Sequence, residues 1–399
     1  MYNLKRVIEP RLLKIYNFSL EKNFQTILFI IDLILPKSDF KIQKKSKKQY
    51  NLKSSPNKRL PIFAQEISAA KNHKKNKIKS IVFIVPDMND NLTSFTILNL
   101  AKSLEYVDKI NYLVVTRFGE VISSNKQPTS TFSIEEIVES KPDVLLFEIH
   151  TIFDNLGLLH EQNLRTLKKF TKTKIVGICF DIWREFDLNF IHKWDGIVDK
   201  FIHMDQESVY NYGLDTKKMI FWPFAGWVSS VKPKIDKDRI VLFSGNLKPS
   251  DRRYILKFTK RISAKLKIRM HVNRIDHSLS NESKSGDDYL DNLNQSQFVL
   301  GLSQKSKTTA LITFRSLEAI RLNCTLIQQE MEGNAPLSRM FIPGEHYIPF
   351  NNLNDITRIM NDIALENDKI ASVGLSGGAF MAKYYSPKLM WRYLFHNLN

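Results

Sequence analysis

At 399 residues, 43% of them hydrophobic and 25% charged, the chain has an ordinary globular composition, which excludes a disordered protein. It also exceeds the roughly 250–300 residues at which one hydrophobic core stops growing, so two domains are expected. The formal net charge of +18 calls for an acidic counterpart (phosphate-bearing substrates, an anionic membrane or nucleic acid), and two cysteines are too few for a disulfide-built scaffold.

The charge is concentrated near the start. Residues 37–80 hold fourteen Lys or Arg against Asp39 and Glu66, so residues 1–77 read as a basic N-terminal extension ahead of a less charged body. Within it, Phe24 to Leu35 (FQTILFIIDLIL) is interrupted by Asp32, stopped by Pro36 and shorter than the about 20 apolar residues that span a bilayer. A Lys-rich tract follows where a signal peptide would carry small residues for cleavage. Two readings stand. One is an interfacial helix at 24–35 whose neighbouring lysines, through 24–79, meet an anionic membrane surface on its cytoplasmic face. The other is a helix packed on the body and followed by a solvated linker.

From Ile78 onward, short β-branched and aromatic runs alternate with helical stretches. Strands are expected at 79–86, 110–118, 142–149, 173–181 and 200–205, with helices at 93–107, 133–140 and 159–170 between them. A Pro- and Lys-bearing stretch, 222–238, interrupts the alternation. Strands then resume at 239–245, 267–272, 297–303, 324–329 and 346–350, with helices in YILKFTKRISAKL, FRSLEAIRL and NDITRIMNDIAL. Asp287 and Asp288 are expected in a loop. Strand–helix–strand alternation of this interval makes parallel sheets covered on both faces, so the fold class is α/β, with two doubly wound domains at 78–225 and 238–385 and a terminal helix at 386–399. Cys179 and Cys324 lie inside apolar runs and read as buried core, which suits a reducing, cytoplasmic setting. In such sheets ligands bind outside the carboxyl ends of the strands.

The densest candidate site is residues 297–329. A strand ends at Ser303, a loop carries Lys305 and Lys307, Thr309 or Thr313 can cap the next helix, and that helix is expected to expose Arg315 and Glu318 in its first turns. Backbone N–H groups at a helix start, with Lys and a forked guanidinium nearby, suit a diphosphate, and a carboxylate one turn on suits the hydroxyls of a ribose. The same spacing also fits a solvated Arg–Glu pair at i and i+3.

FRSLEAIRLNCTLI, followed by FIPGEHYIPFNNLNDI and the terminal KYYSPKLMWRYLF, resembles the donor-binding domain of GT-B glycosyltransferases of the "group 1" type, and is similar to the spore-maturation-type members. The likeness extends over roughly residues 140–399 and implies two Rossmann-like domains facing a cleft, with transfer of a sugar from a nucleotide-diphosphate donor to a glycan or lipid-linked hydroxyl. It implies that Glu318 meets the donor ribose and Arg315 the phosphates. IVLFSGNLKPSDRRYILKF resembles the first loop of that domain, where Gly245 turns the chain and Arg252 or Arg253 meets the pyrophosphate. Alone, Gly245 needs only a tight turn, and paired arginines are ordinary surface residues. PDVLLFEIH resembles the family's strand ending in histidine, which puts His150 at the cleft; Asp181, ending GICFD, is either an acceptor-side base or a helix cap. Many retaining members carry two glutamates eight positions apart, and Ala310 stands at the first of those positions here. The terminal helix fits the GT-B crossover, with Trp391, Tyr393, Leu394 and Phe395 burying apolar area between domains.

The resemblance implies no metal, and no cofactor beyond the donor is expected. Three rivals remain: a GT-B relative acting as a polyol-phosphate transferase, another acting as a nucleotide-sugar epimerase, and a non-catalytic protein that binds anionic surfaces. Nucleic acid ranks last, because the basic residues are not interleaved with aromatics.

Overall fold

The computed structural model describes residues 60–71, 78–85, 91–116, 118–121, 132–149, 158–180, 182, 185–224, 231–245, 250–274, 286–302, 311–331 and 335–398. The segment 24–35 and residues His150, Asp181, Lys305 and Lys307 lie outside them.

The body begins with helix α1 (Ile62–Lys71) and then alternates: β1 (Ser80–Val85), α2 (Asn91–Lys102), β2 (Asn111–Thr116), α3 (Ile134–Ser140), β3 (Val144–Glu148), α4 (Glu161–Phe170), β4 (Lys174–Ile178), α5 (Glu185–Trp194), β5 (Lys200–His203), α6 (Gln206–Asn211) and β6 (Met219–Phe221). These six strands pair in parallel in the order β2-β1-β3-β4-β5-β6. The second half follows as β7 (Asp238–Gly245), α7 (Ser250–Lys265), β8 (Arg269–Arg274), α8 (Gly286–Gln295), β9 (Ser296–Gly301), α9 (Phe314–Arg321), β10 (Thr325–Gln329), β11 (Ile348–Phe350), α10 (Leu353–Ala364), α11 (Asp368–Tyr384) and α12 (Pro387–Leu398). Its five strands are also all parallel, in the order β11-β10-β9-β7-β8.

The strands form because each is a short apolar run with both faces covered. Ile81 to Val85, all of β3 and all of β10 are buried. Helix starts are set by side chains that accept the first free N–H groups: Ser133 and Glu136 make a reciprocal capping box, and Asn352 and Asn367 cap α10 and α11. Cys179 and Cys324 are not joined to each other and are both fully buried; burial pushes the Cys324 thiol up to about 11, and it donates to the Leu293 carbonyl at 3.2 Å, so both read as core residues.

Several expectations are corrected. Asp287 and Asp288 are not in a loop but in the first turn of α8. The expected strands 110–118 and 173–181 stop earlier, at Thr116 and Ile178, once the ladder ends. The stretch 222–238 does interrupt the alternation, with no helix or strand among its described residues before β7 begins at Asp238, and its first residues Trp222 and Phe224 are buried.

The two halves are held together by the first and last helices. Phe63 of α1 is fully buried among the rings of Phe221, Tyr385 and Tyr393, with centroids at 5.0, 5.5 and 5.2 Å. Glu66, one turn later, takes the Arg339 guanidinium at 3.1 Å and the Tyr393 hydroxyl at 3.3 Å. Trp391 of α12 donates through Nε1 to Ser103 Oγ at 2.9 Å and packs on Trp222 at 4.8 Å, while Trp222 Nε1 donates to the Met390 carbonyl at 2.8 Å. Trp222 and Trp391 thus each spend their one indole donor across this contact. No helix among the described residues is long and apolar enough to cross a membrane.

Candidate functional site

In the second sheet, β7 lies between β8 and β9, so the chain leaves β7 in one direction and returns on its other side. The crossovers on either side of such a switch point cover opposite faces of the sheet, which leaves a crevice at the strands' carboxyl ends. A small pocket lies there, lined by Gly245 at the end of β7, Gly301 at the end of β9, Arg252, Tyr289, Arg315 and Ser316, among others.

Both strand ends are glycine for a steric reason. A Cβ on Gly245 would lie 3.3 Å from the Phe243 ring and 3.8 Å from the Arg315 guanidinium, so any larger side chain would press on that cation. A Cβ on Gly301 would lie 2.4 Å from Gln328 Oε1, an overlap. That Gln328 oxygen instead accepts from Ser316 Oγ at 2.9 Å. Thr313, not Thr309, caps α9: its hydroxyl oxygen accepts from Ser316 N–H at 3.2 Å and lies 3.0 Å from Ser316 Oγ. Gly301, Gln328 and Thr313 therefore fix the first turn of α9, and with it the direction of Arg315.

Glu318 follows one turn later, and here the expectation is corrected. It is not exposed on the helix but 2% accessible, and Tyr289 of α8 donates its hydroxyl to Oε2 at 2.5 Å. A solvated Arg–Glu pair does not describe it. Burial pushes the Glu318 carboxyl up to about 7, against the opposing effects of the Tyr289 hydrogen bond and the Arg315 charge. The Tyr289 phenol is pushed well above its ordinary value by the same burial and by Glu318. The carboxyl therefore titrates near neutral pH, while the phenol beside it keeps its proton.

Arg252, in the first turns of α7, is 5% accessible and lines the pocket, whereas its neighbour Arg253 points outward and is exposed. Burial, and then the nearby Arg315, lower the Arg252 guanidinium to about 10. Two guanidiniums at one strand end, next to a glycine turn and a helix start, form a concave cationic surface. The opposite half of the chain reaches this place as well: Phe180, just past the end of β4, meets Phe314, the first residue of α9, edge-on at 4.8 Å.

Of the residues singled out from sequence, the structure brings Gly245, Arg252 and Arg315 together around the pocket, sets Glu318 behind them and leaves Arg253 outside. Tyr289, Ser316, Gln328 and Gly301 were not anticipated. Their only sequence signal is a glycine ending one apolar run and a glutamine ending the next.

Residues 252–395 match the model of the glycosyl transferase-like family. No curated protein matches the chain in sequence. Among solved structures, an alpha-glucosyltransferase in complex with UDP-glucose and DNA containing an abasic site superposes with a TM-score of 0.51 at 9% identity, over 80% of this chain and 98% of that one. A glycosyltransferase involved in avilamycin A biosynthesis aligns over 80% of this chain and 97% of that one, with 13% identity and a TM-score of 0.47. The first of these likenesses, with the two facing parallel sheets, identifies the fold as GT-B. The chain has a GT-B fold, and its residues 252–395 are similar to the glycosyl transferase-like family.

Proposed function

We propose that the protein transfers a sugar from a nucleotide-diphosphate donor to a hydroxyl group of a glycan or lipid-linked acceptor. The observation that supports the reading is a pocket at the β7/β9 switch point lined by two guanidiniums, with a buried carboxyl set just behind it. Arg252 and Arg315 take the diphosphate, with Lys305 and Lys307 assigned to the same charge. Glu318 takes the ribose hydroxyls. The solved neighbour that holds UDP-glucose makes a uridine donor the first to try.

In the transfer, the bond between the anomeric carbon and the diphosphate oxygen breaks and its electron pair leaves with the nucleotide. The acceptor oxygen bonds to the anomeric carbon, and its proton passes to a base, for which Asp181 and His150 are the candidates. Guanidiniums aimed at the leaving oxygens stabilise charge that is fully present only as the bond breaks, so they lower the barrier as well as hold the donor.

Calorimetric titration with UDP, GDP, ADP and CDP tests the reading. One nucleotide is expected to bind, and Arg315→Ala to weaken it about ten- to a hundredfold, the loss of a charge-assisted hydrogen bond. Failure of all four at millimolar concentration sinks the assignment.

A further inference from the structure

All six strands of the first sheet run parallel, so their amino ends share one edge, opposite to the edge that faces the pocket. Backbone bonds fix the strand starts side by side: Asn111 N–H donates to the Lys79 carbonyl, Asp143 N–H to that of Ser80, Lys174 N–H to that of Asp143, Asp199 N–H to that of Ile175, and Phe201 N–H to that of Lys218. In the spatial order of the strands, this edge presents Lys109, Lys79, Lys141, Lys172, Lys200 and Lys217, all exposed except the half-buried Lys200. At strand spacing the row is about 24 Å long.

The acidic residues at the same edge are already engaged. Asp143 Oδ2 accepts from the amides of Lys79 and Ser80, at 2.6 and 3.0 Å. Asp199 accepts from Ile175 N–H and pairs with Lys168, and Asp195 pairs with Lys218. Asp215 accepts from Lys217 N–H. Asp195 and Asp199 neutralise lysines outside the row, and although Asp143 and Asp215 keep their charge, the lysines of the row outnumber them, which leaves the edge positive. One large apolar side chain stands in the row. Phe170, at the end of α4, is 62% exposed, with the Lys169 ammonium 5.3 Å from its ring, and it shares an open recess with Lys141, Lys169 and Lys172. In sequence, Lys74, Lys75 and Lys77 come immediately before this edge.

We propose that this strand-start edge is a docking surface for an anionic lipid bilayer, with the lysine row meeting headgroup phosphates and Phe170 inserted at the interface. A flat row of ammonium groups matches a plane of phosphates, and each such group near an anionic bilayer adds attraction that salt screens. An exposed phenyl ring among them gains by leaving water for the acyl boundary, a gain that salt does not remove. The surface lies on the folded body and does not depend on residues 24–59. It turns the carboxyl ends of the first sheet's strands away from the bilayer.

The full chain is sedimented with vesicles of pure phosphatidylcholine and with vesicles of an equimolar mixture with phosphatidylglycerol, across a salt series. Binding is expected only to the mixed vesicles and to fall with salt. Replacing Lys109, Lys141, Lys169 and Lys172 together by Gln is expected to weaken it by about tenfold or more and to flatten the salt dependence. Phe170→Ser is expected to weaken binding several-fold with the salt dependence kept. Melting curves matched to the parent chain show that both variants are folded. A chain in which Lys44, Lys45, Lys47 and Lys48 are replaced by Gln serves as the comparison. The proposal is overturned if the parent ignores the mixed vesicles, if the edge variant binds them like the parent, or if the edge variant loses retention on double-stranded DNA but not on vesicles.

Discussion

Glu318→Ala is expected to lower nucleotide affinity by about a hundredfold or more, because a carboxylate that accepts two ribose hydroxyls contributes two charge-assisted hydrogen bonds. The milder Glu318→Gln separates that role from the cost of keeping the residue. In the folded protein without nucleotide, burial raises this carboxyl from its ordinary 4.5 to about 7. A raised acid favours the fold at low pH: its contribution is complete below about pH 4.5 and declines as pH rises to about 7, by about 3 kcal/mol in total. Gln carries no charge and removes that decline. Urea denaturation at pH 4 and pH 8 should therefore show Glu318→Gln close to the parent chain at the lower pH and more stable at the higher. Parallel pH profiles for the two would show that Glu318 is not a buried acid. Bound ribose hydroxyls favour the ionised form, so near pH 6.5 nucleotide binding should also release protons, visible as a dependence of calorimetric heat on the buffer's ionisation enthalpy.

Trp391→Ala is expected to cost about 3–5 kcal/mol, the range for removing a large aromatic from a packed core. The indole is fully buried and packs on Trp222 and Phe224, and its removal leaves Ser103 without its donor. For a chain of this size the loss corresponds to a melting temperature lower by on the order of 10 °C. Nucleotide affinity should change little, because the pocket is built mainly from β7, β9, β10, α7, α8 and α9, none of which supplies a hydrogen bond or ring contact to Trp391. A variant that melts like the parent, or that loses nucleotide binding in proportion, contradicts this division of labour.

The parallel sheets were legible because a strand buried on both faces must be a continuous apolar run, and Ile81–Val85 or Val144–Phe147 can hardly be anything else. What escaped was short, polar or glycine-bearing. Met219–Phe221 is three residues long. Gly286–Gln295 begins with Gly-Asp-Asp, which reads as a turn, yet it is a helix from its first residue. Ile62–Lys71 hides in a lysine-rich stretch whose total charge masks Phe63, Ala64, Ile67 and Ala70 on one face. The donor side of the candidate site was partly legible, since Arg315 and Glu318 stand out from their helix. Their environment was not. Tyr289, which holds Glu318, is 29 positions away in the unrecognised helix α8, and a carboxylate's burial depends on what folds over it rather than on its spacing from an arginine.

The pairing of α1 with α12 has a consequence for synthesis. Phe63, Ile67 and Glu66 belong to the first helix of the body, but Tyr385 and Tyr393 are made more than 300 residues later. At about 5–20 residues per second the ribosome leaves the apolar face of α1 without its cover for tens of seconds. During that interval the first sheet can form from its own local crossovers, while the helix beside it waits. Low temperature or slow translation lengthens the exposure, so the nascent chain, rather than the finished protein, is where chaperone binding and aggregation should concentrate.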